Sequence, residues 1–211
     1  MYLPRRFAET DLTALDGLFA RDAFVTLITV AEGEPFASHL PVLYARDGDA
    51  LHIRGHWARP NPQAKHVGQA LLIVHGPHAY VSPSWYTQPE QRVPTWNYAV
   101  AQLSGQLTAT DDVEAKRQIV SDLSAHYERG VGSMWQPAHG HPEFEPELDG
   151  IVGFRFEVSA IAMKFKLNQH HPAADVLGAI AGLRSVDRPN EHEVADLMAD
   201  RLARRKGASP A

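Results

Sequence analysis

The stretch AFVTLITVAEGEPFASHLPVLYARDGDALHIRGH, residues 23–56, decides the fold. AFVTLITV is rich in β-branched residues, which suit a pleated, half-buried surface, and reads as a strand. EGEP (32–35) makes a turn, and FASHLPVLYA (36–45) is a second extended run. Asp47-Gly48 then gives a strong two-residue hairpin signal before ALHIRGH (50–56). Extended runs joined by tight turns make an antiparallel meander.

Upstream, DLTALDGLFAR (11–21) places Leu12, Leu15 and Leu18 three apart behind Thr10, which predicts a short amphipathic helix with Thr10 as its N-cap. Downstream, ARPNPQAKHV carries two prolines and an asparagine and reads as a loop opening a short helix. QALLIVHG is a continuous apolar strand and HAYVSPSWY extends the sheet. TQPEQRVP is a polar, proline-flanked loop, and TWNYAVAQLSGQLTA returns as a long strand. Asp111 and Asp112 open a helix in which Val113, Ile119, Val120 and Leu123 are spaced for one buried face, leaving Lys116 on the exposed one. Residues 130–149 read as irregular. IVGFRFEVSAIAMKFKL alternates as one long strand or a bent pair, with Phe154, Phe156 and Val158 on one side. AADVLGAIAGL and NEHEVADLMADRLARR finish the chain as helices. Strands outnumber helices and no regular βαβ alternation occurs, so the fold class is mainly β with peripheral α, a small antiparallel barrel.

With 211 residues the chain buries a substantial core without cross-links. It has no cysteine, which excludes thiolate metal sites, redox thiols and cysteine nucleophiles and fits a reducing compartment. Neither a leader-like apolar stretch nor a run approaching the ~20 apolar residues of a membrane span is found, so the expectation is a soluble, cytoplasmic protein with no membrane partner. The formal net charge of -5 repels a phosphate backbone overall. Contact with DNA would need a local basic patch, and the one in view is Arg201, Arg204, Arg205 and Lys206. Cations in a last helical turn also simply complement the helix dipole.

Three clusters carry chemistry. In GHWARPNPQ (55–63), His56, Arg59 and Asn61 sit at a strand-to-helix junction, where free backbone N–H groups and an arginine fork suit a phosphate; an arginine in such a loop equally serves as a surface residue or an ion-pair partner. GPHAYVSPSWY (76–86) and VPTWNY (93–98) crowd Tyr80, Trp85, Tyr86, Trp96 and Tyr98, which suits a flat ring ligand, a strand core or an interface. In MKFKLNQ (163–169), Lys164 and Lys166 alternate onto one face as a solvated edge or an anion site. The histidine pairs His139/His141 and His170/His171 have no recognisable metal-site spacing, so no metal is expected. There is no G-x-S-x-G elbow, no G-x-G-x-x-G and no P-loop. No catalytic residue is assigned.

Taken in order, MYLPRRF, GHWARPNPQ, GPHAYVSPSWY, VPTWNY and KFKLNQ resemble the PaiB-like FMN-binding family, usually described as negative transcriptional regulators. The resemblance runs from Met1 to about Arg184, leaving 185–211 as a C-terminal helical appendage and tail. It implies an antiparallel split β-barrel related to the pyridoxamine-phosphate-oxidase-like flavoproteins, a homodimer, and one FMN in each of two clefts between subunits. It puts His56, Arg59 and Asn61 at the phosphate and ribityl end, with Lys166 and Gln169 near the same cleft. Ser38, His39 and Leu40 would lie along the isoalloxazine ring, and Trp96, Asn97 and Tyr98 would approach from the partner chain. Members commonly carry histidine where this chain has Gln102, and serine and asparagine or arginine where it has Asn168 and His170. Glutamine donates and accepts, so a ring contact at Gln102 survives, but a proton-transfer role does not.

The resemblance therefore implies an FMN-binding regulator. No helix-turn-helix is evident, because the pair 174–184 and 190–206 is joined through Arg188-Pro189 rather than a tight glycine turn, so any DNA contact is weak or indirect. The alternatives are an FMN-dependent oxidoreductase of the same fold and a haem- or other ligand-binding relative using His39, His56 or His75.

Overall fold

The computed structural model describes residues 1–207, with side chains as far as Arg205. Residues 208–211 of the expected tail and the Lys206 side chain of the basic cluster lie outside the described residues. The elements run β1 (Ala8–Glu9), α1 (Leu12–Arg21), β2 (Phe24–Ala31), β3 (Glu34–Pro41), β4 (Leu43–Asp47), β5 (Ala50–Ala58), β6 (Gly68–Val81), β7 (Thr95–Thr110), α2 (Val113–Gly130), β8 (Ile151–Lys166), α3 (Ala173–Arg184) and α4 (Pro189–Gly207). The sheet order is β3-β2-β6-β7-β8-β5-β4, with β1 added to β8. β2/β3, β2/β6, β4/β5, β5/β8 and β1/β8 pair antiparallel. The fold class is the one expected: mainly antiparallel β with peripheral helices. The segment 151–166, open between one strand and a bent pair, is the single strand β8.

Both hairpins follow from turn chemistry. Ala31 pairs with Glu34 across Glu32-Gly33, whose φ values of 54° and 86° are the two positive dihedrals of the turn that matches strand twist. Asp47 pairs with Ala50 across Gly48-Asp49, one residue later than the expected Asp47-Gly48. The run 36–45 is broken at Val42 into β3 and β4, which stand at opposite edges of the sheet, so the two hairpins do not continue into the expected meander.

By internal contacts the chain falls into two compact units. One comprises Leu15–Val74 and Gln102–Ile161; the other comprises Met1–Ala14, His75–Ala101 and Ala162–Ala211. The first buries Leu15, Leu27, Ile53, Trp57, Leu72, Leu103, Leu107 and Phe156, all at 2 % exposure or less. α2 covers this core, but not with the face expected. Ile119 and Leu123 are buried, whereas Val113 is exposed and Lys116 lies inside. Residues 116, 119 and 123 follow the i, i+3, i+7 rule, so the lysine's aliphatic stem takes the core position and its ammonium reaches Asp111 Oδ1 at 3.0 Å. Asp112 caps α2, its Oδ1 accepting from the Ala115 N–H at 2.8 Å. At α1 the capping oxygen belongs to Asp11, which accepts from the Thr13 N–H at 2.9 Å, and not to Thr10.

In the second unit, α3 and α4 pack together, burying Val176, Ile180, Leu183, Val194, Met198 and Leu202. Trp85 lies against α3 where Gly178 and Gly182 leave room: a Cβ on Gly182 would stand 2.2 Å from the indole, and one on Gly178 would stand 2.1 Å from the Trp85 carbonyl oxygen. Trp85 is thus a wedge under a helix. No helix among the described residues is long and apolar enough to cross a membrane.

Candidate functional site

The expected site residues divide between the two units. Ser38, His39, Leu40, His56, Arg59, Asn61 and Gln102 belong to one; Trp96, Asn97, Tyr98, Lys166 and Gln169 belong to the other.

In the first group, the segments SHLP and GHWARPNPQ meet. Asn61 caps the single turn Pro62–Lys65, its Oδ1 accepting from the Gln63 N–H at 2.9 Å, and its Nδ2 donates to Ser38 Oγ at 3.0 Å. Beneath them Gln63 is fully buried. Its Oε1 accepts from Trp57 Nε1 at 3.0 Å, and its Nε2 faces Leu27 O (2.9 Å), Thr29 Oγ1 (3.2 Å) and Phe36 O (3.2 Å). One amide therefore ties β2, β3 and β5 together and fixes the loop carrying Asn61. Sequence reasoning quoted Gln63 inside the motif without giving it a role.

Neighbouring strand residues face opposite ways, which separates the others. Ser38 and Leu40 are buried, while His39 is exposed between them and bonds Thr26 Oγ1 at 3.0 Å. His56 is half-buried; its Nδ1 is buried without a hydrogen-bond partner, and burial holds its pKa below the usual imidazole value. Gln102 is half-buried in β7. Arg59 makes a two-pronged pair with Asp111, at 2.6 and 3.0 Å, and also donates to the carbonyls of Asp149 and Ile151. This is the ion-pair role weighed for an arginine in such a loop. Asp111, shared by Arg59 and Lys116, is held far below the ordinary carboxylate range by the hydrogen bonds from Arg59 and then Lys116.

In the second group, Asn97 faces inward: it is fully buried and its Nδ2 lies 3.2 Å from Met198 Sδ, beneath α4. Its Oδ1 is buried without a partner. Trp96, one residue earlier, is 54 % exposed, near Tyr80 (6.1 Å between ring centroids) and His78 (6.2 Å). The Lys164 ammonium sits 5.5 Å from the Tyr98 ring and 5.4 Å from that of Tyr2. Lys164 is itself buried, so the solvated-edge reading does not hold for it. Lys166 Nζ donates to Thr95 Oγ1 at 2.5 Å and Trp96 O at 2.6 Å, and burial, then Lys164, lowers its pKa. Gln169 is occupied locally, accepting from the Leu167 N–H at 2.8 Å and donating to the Phe165 carbonyl.

Sequence reasoning missed Asn168 and Asp175. Asn168 adopts φ 61°, a conformation asparagine tolerates, and donates to Tyr86 OH at 2.9 Å. Asp175 is fully buried; Thr87 Oγ1 (2.7 Å), Thr87 N (2.9 Å) and Arg92 (2.8 Å) donate to it and keep it ionised, Thr87 most strongly. A lone acid in the first turn of an otherwise apolar helix was its only signal. No group of acidic or histidine side chains able to hold a metal occurs among the described residues.

This antiparallel sheet with helices at its periphery is the split-barrel fold. It is shared with the FAD and heme binding protein from Mycobacterium smegmatis (TM-score 0.53, 20 % identity, covering 82 % of this chain and 79 % of that one). The flavocytochrome Anf3 from Azotobacter vinelandii is likewise similar (TM-score 0.54, 16 % identity, 78 % and 72 % covered). At these identities the likeness is one of fold. Residues 1–160 match the family described as "Putative FMN-binding domain", and the chain belongs to that family, whose cofactor is FMN. Among its relatives is the "Protease synthase and sporulation protein PAI 2" of Bacillus subtilis (strain 168), 31 % identical over 205 residues, covering 96 % of this chain and 98 % of the relative. An uncharacterised Emericella nidulans protein is 27 % identical over 245 residues, covering 95 % and 97 %.

Proposed function

We propose that this chain is a cytoplasmic FMN-binding regulatory protein that works as a homodimer and affects transcription without itself reading DNA. The observation that carries the flavin reading is the Asn61–Ser38 hydrogen bond, which joins the two motif segments into one polar surface fixed by a buried amide. The buried His56 Nδ1 separately lacks a partner, which a polar ligand would supply. In this reading Ser38, His56 and Asn61 hold the polar chain of FMN. Arg59, 41 % exposed, exchanges Asp111 for the phosphate, a trade between two oxyanions that its fork binds alike. His39, Leu40 and Gln102 serve the ring, and the exposed Trp96 and half-buried Tyr98 offer aromatic surface to the second copy. The flavin domain extends to about Arg184, with the following helix as its appendage. Bound FMN supplies one- or two-electron redox chemistry.

The indirect effect on transcription is supported by what two arginines of the C-terminal patch already do: Arg201 bonds Glu9 and Arg205 donates to the His171 carbonyl. Binding to DNA is expected no tighter than ~10⁻⁶ M at physiological salt. A visible spectrum of the purified protein, with the chromophore released as FMN on denaturation, tests the cofactor; a Soret band in its place would overturn it. Sedimentation at micromolar protein tests the dimer, and a footprint on one promoter that persists against competitor DNA would refute the indirect mode.

A further inference from the structure

The unit containing both termini carries a cavity of about 480 Å³, one wall of which is Lys166, a residue that the family resemblance puts near the flavin cleft. Three separate motifs line it: MYLPRRF through Arg6 and Phe7, the loop before β7 through Arg92, and the end of β8 with the following turn through Lys166, His170 and His171. None of the lining residues is acidic. The nearest counter-charge in the hydrogen-bond network is Asp175, which answers Arg92 alone and is shared with Thr87. In a chain of formal net charge -5, three cations around one opening are a local reversal of sign.

The donors are also incompletely used. Arg92 spends one terminal nitrogen on Asp175, at 2.8 Å, while its Nε is buried without a partner. His171 Nδ1 is likewise buried without one, 3.9 Å from Asp175 Oδ2. Lys166 gives two of its protons to neutral oxygens of Thr95 and Trp96 and keeps a third. Desolvated donors beside a positive field are the arrangement that an oxyanion completes. Phe7, packed edge-on to His170 at 5.8 Å, gives one wall an apolar surface.

We infer that this cavity binds the oxyanion of a small molecule, a carboxylate or a phosphate monoester, with its charge among Arg6, Arg92 and Lys166. The surrounding field agrees: burial first, then His171, Arg6, Lys166 and Arg92 at His170 and Arg92 at His171, keep both imidazoles less basic than usual. The inference does not rest on the Asn61–Ser38 surface: the oxyanion comes either from a second molecule or from the flavin itself, and the test separates the two.

The test is calorimetric titration of the full, flavin-free chain with inorganic phosphate and with benzoate, repeated after saturation with FMN. At least one probe binds the parent. Arg6→Gln weakens it by about fivefold, as loss of a rim charge should, and Arg92→Gln by about tenfold or more. Arg92→Gln disturbs the Asp175 network, but Arg6 is exposed, its guanidinium 5.9 Å from the Phe7 ring, so Arg6→Gln tests the site with the fold intact. A probe that still binds after FMN saturation identifies a second molecule as the oxyanion's source; displacement by FMN but not by riboflavin identifies the flavin's own phosphate. Equal affinities of parent and both variants, or no binding of either probe at millimolar concentration, would overturn the inference. Because the first titration uses no flavin, its failure leaves the cofactor assignment standing, and a missing flavin spectrum leaves the cavity standing.

Discussion

Replacing Gln63 by methionine keeps an unbranched side chain of similar length and removes every polar atom from the knot under the Asn61 loop. The wild-type amide makes one bond from Trp57 Nε1 and places two N–H groups against three acceptors within 3.2 Å. Each lost hydrogen bond costs about 1 kcal/mol net, and stranding the donor of Trp57, itself 2 % exposed, adds about 1–3 kcal/mol. The better transfer of a thioether into the core offsets part of this, leaving an expected destabilisation of about 3–4 kcal/mol. Urea unfolding at neutral pH, followed by tryptophan fluorescence, measures it directly. Gln63→Glu separates polarity from volume, since its shape is conserved but its carboxylate would face the carbonyls of Leu27 and Phe36. It should be at least as destabilised at neutral pH and recover in part on acidification, as the carboxyl protonates and regains one donor. A methionine variant within about 1 kcal/mol of the parent would refute the network as the anchor of this loop.

The remaining expectations test other contacts. Lys116→Met should stay within about 1.5 kcal/mol of the parent, and Lys116→Ala should lose about 2 kcal/mol or more in urea unfolding, because the stem is packed; an unchanged midpoint for the alanine variant would restore the surface reading. Arg59→Ala should weaken FMN binding about ten- to a hundredfold, while Asp111→Asn, which loosens the competing pair, should not. Equal losses in the two variants by fluorescence titration would make Arg59 purely structural. The depressed pKa values of His56, His170 and His171, caused first by burial, mean that the unfolded chain takes up protons before the folded one as pH falls through 6.5. Stability should therefore drop between pH 7.5 and 5.5. Asp16, lowered from 3.8 to about 2 first by its hydrogen bond from Arg46, contributes stability that is intact above 3.8 and lost only towards pH 2. A urea midpoint that is flat or rising from pH 7.5 to 5.5 would contradict the histidine assignment.

The sequence by itself determined most of the extended segments, the two hairpins and the antiparallel class, but not the break at Val42 that sends β3 and β4 to opposite edges of the sheet. What it determined depends on interactions a few residues long: β-branched runs, two positive φ values at Glu32-Gly33, a turn at Gly48-Asp49, a cap at Asp112. It also determined the family, because the order of several unusual strings survives in one dimension. What the tertiary structure alone decided is which polar residues are occupied and which are free. Arg59 meets Asp111 across 52 residues, Thr87 meets Asp175 across 88, and Gln63 meets Leu27 across 36. An arginine that reads as a phosphate ligand and one that closes an ion pair are the same letter, as are a surface lysine and Lys116, whose stem fills a core position. The burial that distinguishes them is set by strands and helices remote in sequence, and so is the cationic cavity, whose walls come from residues 2–7, 91–95 and 166–171.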